Sequence, residues 1–184
     1  VRPVTKIATG FVFAFGALRF NGFDLLLNPV GWLVCVSGLS QLQRSADGPF
    51  SRARSSAIVM VCVSLVAMVS PGERSDYPLM VLLVKHVIDI ADTAGALIAV
   101  WLTVDAVIRR IRPCGDISRA VLLDVLRWAV VGLGALGTLV GYGYTDLDPV
   151  LIIAWFAAVV ALIVVLYRSA HLPCLSPIWG PVVS

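Results

Sequence analysis

Six apolar blocks, each near the length that crosses a bilayer, leave this chain few ways to fold. They run Val4–Phe20, Leu25–Leu42, Ala57–Ser70, Leu79–Ile108, Ala120–Tyr142 and Val150–Tyr167, with Ser55 and Ser56 extending the third to about 55–71. Helix is the expected form of each, because an isolated strand in lipid leaves its backbone polar groups unpaired. Composition agrees: 59% of the residues are hydrophobic and 14% charged, against roughly half and a quarter in globular domains. The expected fold class is all-α, a polytopic membrane helix bundle of about six transmembrane helices. It forms one domain over residues 1–170, and the lipid bilayer is its first partner. The tail HLPCLSPIWGPVVS, residues 171–184, holds three prolines and reads as an irregular cytoplasmic end.

The basic residues give the bundle a direction. Arg2, Lys6, Arg44, Arg52, Arg54, Arg109, Arg110, Arg112, Arg119 and Arg168 fall at alternate ends of the blocks. The intervening loops hold Arg19 and Arg74 beside Asp24, Glu73, Asp76, Asp146 and Asp148. Positive charge is retained on the cytoplasmic side, so ten residues against two predict an even number of spans with the N and C termini cytoplasmic. The expected location is the cell inner (cytoplasmic) membrane, multi-pass. Arginine outnumbers lysine twelve to two, a compositional hint of a high-GC bacterial source. No run of basic residues makes a continuous face, so nucleic acid is not an expected partner.

The opening VRPVTKIATGFVFAFGAL has the basic start and short apolar stretch of a signal peptide. It lacks a good A-x-A site before Arg19, and a further apolar block follows within a few residues, so a retained span is expected. Cys35, Cys62, Cys114 and Cys174 form no CxxC pair. Inert structural thiols are expected, and a quinone-linked disulfide oxidoreductase would need the missing pair.

The fourth block is the most charged. A helix from Leu79 to Ile111 would be roughly 50 Å long at 1.5 Å per residue, against a hydrocarbon core of about 30 Å. Arg109, Arg110 and Arg112 would pin its inner end, placing Asp89 near the opposite boundary and Lys85 and His86 in or beyond the outer headgroups. Asp92 would lie in the outer core and Asp105 near the inner face. At 100° per residue, Lys85, Asp89, Asp92 and Thr103 share a narrow stripe, with Thr93 and His86 to one side. Such a stripe is expected to face other helices or a wet cavity, since charge facing lipid is costly. Lys85 and Asp89 can also pair at i, i+4.

The fifth block adds Arg127, about two turns inside the membrane. In RWAVVGLGALGTLVG, Gly134, Gly137 and Gly141 share a face, and Arg127 falls within about 20° of Gly134. Small residues there admit a neighbouring backbone, so Arg127 is expected to point into the bundle. Asp124 could pair with it locally, or an aspartate of the fourth helix could across the interface. Lys85, Asp89, Asp92 and Arg127 are therefore the candidate polar intramembrane site. It is either an ion, proton or solute path or a structural ion pair with interfacial charges, and the structural alternative is preferred.

The segment NGFDLLLNPVGWLVCVSGLSQL, residues 21–42, is the most individual stretch. Asn28 can cap a helix whose first position is Pro29. Trp32 would sit one turn in, near the outer interface, and Gly31 and Gly38 share a packing face. The stretch resembles a segment of uncharacterised bacterial, notably actinobacterial, integral membrane proteins in which a run like DLLPDPVGW opens the second span. Asp24, Leu25, Leu26, Pro29, Val30, Gly31 and Trp32 match in register. Leu27 stands where that pattern has proline and Asn28 where it has aspartate. The resemblance covers about a tenth of the chain and implies a topology without a chemistry.

Catalytic residues are not expected. DIAD, Asp89 to Asp92, looks like the acid pair that holds magnesium in membrane transferases acting on diphosphates, but the rest of that motif is missing. ADGPFSRARSS has the wrong spacing for a phospholipid head-group transferase. VSGLS has no membrane histidine placed as a base for Ser37 or Ser40. His86 and His171 fall on opposite sides, so a two-histidine haem or metal site is not expected, and no P-loop or dinucleotide fingerprint occurs. No cofactor or metal is expected. The function expected first is a structural or accessory membrane component acting through helix–helix contacts, with another membrane protein or a second copy as partner. A small transporter or channel using the polar face of the fourth helix with Arg127 comes second, and a lipid-active membrane enzyme last.

Overall fold

The computed structural model describes residues 2–16, 27–45, 49–69, 79–140 and 148–172. Its regular structure is helical throughout: α1 (Pro3–Phe15), α2 (Leu27–Ser45), α3 (Pro49–Val69), α4 (Leu79–Ile111), α5 (Ile117–Val140) and α6 (Asp148–Ser169). Four of these are long and apolar enough to cross a membrane, over Phe50–Ala67, Leu83–Cys114, Ile117–Thr138 and Val150–Ser169. α1 is apolar but only 13 residues long, and the 19-residue α2 carries Asn28, Gln41, Gln43 and Arg44. Residues 17–26, into which the first two apolar blocks extend, lie outside the described residues, as do Gly141 and the tail from 173 onward.

Each helix packs on the next in sequence, and α1 packs on α6, so the contacts close into a ring. Paired positions run in opposite directions where α1 meets α2, α3 meets α4 and α6 meets α1. Gly38 and Gly31 of α2 meet Ile7 and Gly10 of α1, Met60 and Ser64 of α3 meet Gly95 and Asp92 of α4, and Arg2 and Phe15 of α1 meet Ala170 and Trp155 of α6. The result is an up-and-down bundle. Its alternation brings Arg2, Arg54, Arg109, Arg112, Arg119 and Arg168 to one end, hereafter the basic end.

α1 and α2 approach most closely because glycines face each other. A Cβ at Gly31 would lie 2.7 Å from the carbonyl oxygen of Gly10, and one at Gly38 2.7 Å from that of Pro3. This approach also encloses Trp32. The indole is 1% exposed and packs edge-on against Phe11 and Phe15, with ring centroids 6.2 Å away in each case. Helix α2 already includes Leu27 and Asn28, so Asn28 lies within the helix and not at the cap expected of it.

The α4–α5 junction follows from the sequence RPCGD. A 3-10 turn over Arg112–Cys114 ends at Gly115, whose φ of 83° is left-handed and suits glycine. Asp116 then accepts the Arg119 amide at 3.3 Å and starts α5 three residues before the apolar block itself. Burial is uneven along α4. Val100, Val104, Val107 and Ile111 are fully buried, whereas Leu83, Val84, His86, Val87, Asp89 and Ile90 are exposed.

Candidate functional site

The antiparallel packing of α4 on α5 assembles the charges of the basic half. Asp105 and Arg109 lie one turn apart on α4, and Asp124 and Arg127 three residues apart on α5. Arg127 Nη1 donates to Asp105 Oδ1 at 2.8 Å, and its Nη2 donates to Asp124 Oδ1. Arg109 Nε donates to the other Asp105 oxygen at 2.7 Å. The Arg127 guanidinium carbon stands 3.9 Å from the Trp101 ring centroid, and Trp128 packs edge-on against Trp101 at 4.4 Å. Arg127 is 9% exposed, and its Nε is buried without a hydrogen-bond partner.

Arginine suits this place for reasons of shape. Its planar fork reaches two carboxylates through separate nitrogens while its face lies on an indole. A lysine ammonium offers neither the plane nor the fork. The formal charges of Arg109, Arg127, Asp105 and Asp124 sum to zero, so the cluster compensates its own charge.

A second polar place lies toward the other end of α4. Ser64, 4% exposed, donates to Asp92 Oδ1 at 3.3 Å across the α3–α4 interface. Gly95, one turn along, leaves room for the Met60 side chain of α3. Asp92 also lines a cavity of about 380 Å³ built by α1, α2, α4, α5 and α6. Phe15, Trp32 and Trp155 form an aromatic wall, with Phe15 5.9 Å from Trp155 and 6.2 Å from Trp32. Gly137 of α5 presents no side chain to it. At Gly137 a Cβ would have only the tip of Leu151 nearby, at 4.0 Å.

The four residues picked out from the sequence therefore fall into separate groups. Arg127 joins Asp105 and Asp124, so both kinds of partner foreseen for it, local and across the interface, are engaged. Asp92 lies 13 residues from Asp105 along α4, about 20 Å on a straight helix, and reaches Ser64 and the cavity. Lys85 is half-buried and Asp89 exposed. Thr103, the remaining member of the stripe, is 1% exposed with its hydroxyl unpaired. Of the packing glycines, Gly31 and Gly38 meet α1, Gly134 meets Leu97 and Trp155, and Gly137 faces the cavity.

Sequence reasoning did not single out Trp101, Ser64 or Trp155. Trp101, Asp105 and Arg109 recur every four residues, a spacing that puts them on one helix face and could have joined the ring to the acid. Ser64 and Trp155 carry no such signal, because their partners lie on other helices. Among the described residues, no group of three or more His, Cys, Asp or Glu side chains could hold a metal ion. Comparisons with protein-family models, with curated proteins and with solved structures return no match to this chain.

Proposed function

We propose that this chain is a multi-pass protein of the bacterial inner membrane, with six spans and cytoplasmic termini. In this reading it serves as an accessory component of a membrane assembly, acting through helix–helix contacts. The exposed outer half of α4 carries the proposal. There Leu83, Val84, Val87 and Ile90 are interrupted by Asp89, all exposed. A charged group facing hydrocarbon costs several kcal/mol unless it is relieved, and a neighbouring helix that offers hydrogen-bond partners relieves it. Another membrane protein or a second copy would serve. Six spans are supported by the antiparallel packing of α1 and α2 within the same bundle, and the orientation by the basic end. The resemblance of residues 24–32 to a segment of actinobacterial membrane proteins supports the same topology.

Single cysteines in a cysteine-free background test both parts. Val87→Cys should form disulfide or bismaleimide adducts in native membranes, well above those formed by Val164→Cys on the exposed flank of α6. Equal yields at the two positions would remove the association reading. Native Cys114, exposed at the basic end, should react with a membrane-permeant maleimide and be spared by an impermeant one in intact cells. A second reading, a small transporter or channel along the polar face of α4, is favoured by the cavity beside Asp92. Arg127, on which it also draws, would act some 20 Å farther along. Solute or proton flux in vesicles that is lost in a folded Asp92→Asn protein would favour this reading, and unaltered flux would end it.

A further inference from the structure

The cavity beside Asp92 has a chemical character that neither reading above specifies. Asp92 is the one charged side chain among its described lining residues, and Phe15, Trp32 and Trp155 supply three aromatic rings. Asp92 comes from α4, which stands across the ring of helices from α1 and its Phe15. The remaining walls are largely apolar, with the Asn28 carboxamide and the hydroxyls of Thr93 and Thr138 as further polar groups. A volume of about 380 Å³ is that of roughly a dozen waters at their liquid share of space, within the range of small-molecule sites. Aromatic faces carry negative potential and attract cations, quaternary ammonium groups above all, and a carboxylate in the same low-dielectric space adds to that field. An anion would meet Asp92 without a compensating charge in the lining. A neutral oil would leave the carboxylate with the Ser64 hydroxyl alone and its charge uncompensated.

We infer that this cavity is a binding site for a small amphipathic organic cation, with its cationic head between Asp92 and the aromatic wall and its apolar body along α5 and α6. The site is independent of the exposed flank of α4 that carries the association reading. It names a ligand class that the transport reading leaves open, and binding without flux would leave the site standing while transport failed.

Three probes of matched shape decide the matter: benzyltrimethylammonium, its uncharged carbon isostere neopentylbenzene, and benzylsulfonate. Binding to the full-length protein in nanodiscs is read by tryptophan fluorescence and by isothermal calorimetry. The cation should bind at least tenfold tighter than the isostere, and the sulfonate should not bind. Asp92→Asn keeps an oxygen to accept from Ser64, so the fold should persist while cation affinity falls about tenfold to the level of the isostere. Gly137→Leu, which points new bulk into open space, should abolish binding of both without loss of thermal stability. It supplies the test if Asp92→Asn does not fold. Equal affinity for cation and isostere, preference for the sulfonate, no binding of any probe, or full cation binding by either variant would overturn the assignment.

Discussion

Replacing Arg127 by glutamine should expose how much of this bundle depends on one cation. The substitution removes the donors to Asp105 and Asp124 and the contact with Trp101. Removing one partner of a buried ion pair costs about 3–5 kcal/mol, because the other charge is left uncompensated. Here the acids are not fully enclosed, with side-chain exposures of 28% for Asp105 and 37% for Asp124, so solvent screening takes part of that cost away. Asp105 also keeps Arg109. The penalty then falls mainly on Asp124 and on the indole contact, the latter worth about 0.5–2 kcal/mol. Together these give about 2–3 kcal/mol for Arg127→Gln. Asp124→Asn alone should cost about 1 kcal/mol, since Arg127 retains Asp105 and the ring. In the double variant no carboxylate is stranded, so its loss should be smaller than the sum of the singles by about 1 kcal/mol or more. Equilibrium unfolding by SDS in mixed micelles, followed by helical circular dichroism, measures all four corners of the cycle. A change below about 0.5 kcal/mol for Arg127→Gln, or strict additivity of the two singles, would refute the account of a coupled cluster.

Other substitutions probe the local arguments. Arg127→Lys should recover only part of the lost stability in the same unfolding assay, because an ammonium cannot bridge two carboxylates from the face of an indole. Gly31→Ala places a methyl against backbone of α1 and should cost about 2–3 kcal/mol as the helices part. Gly132→Ala, which meets nothing within 4 Å, should be neutral or raise stability by up to about 1 kcal/mol. Gly115→Ala also meets no neighbour, so its expected loss of about 1–2 kcal/mol comes from φ alone. Gly115→Asn should recover part of it, since asparagine enters the left-handed region more readily.

What the sequence made legible follows from which forces are local. Helix as the form of the apolar stretches was readable because a segment with no polar surroundings must pair its backbone within itself, and four of the helices are long and apolar enough to cross a membrane. The turn after α4 was readable in principle from Gly115 and Asp116, yet the apolar count placed α5 at Ala120. Hydropathy does not register a polar first turn capped by an aspartate. The burial of Trp32 was hidden for a related reason: it follows from the approach of α1 and α2 through Gly10 and Gly31. The inward direction of Arg127 came from its rotation relative to Gly134, an arithmetic internal to one helix. Its selection of Asp105 depended on the stagger between two helices, which no single-segment pattern encodes. The cavity was least visible of all, since five helices contribute to it and its defining property is missing side-chain volume.

The two polar places differ in a way that bears on what each can do. Around Arg127 the formal charges cancel, the guanidinium is held by two acids, and a ring covers its face. A group so committed resists exchange of partners, because each move leaves a carboxylate without its cation. Asp92 takes a neutral hydroxyl from Ser64 and stands at the edge of unfilled space, where no basic side chain is among the described lining residues. Charge that must serve the fold is best compensated within the fold, whereas charge that must meet something from outside is best left for that visitor to compensate. By this reasoning, neutralising Arg127 should act on stability and leave cation affinity in the folded fraction intact, whereas neutralising Asp92 should do the reverse.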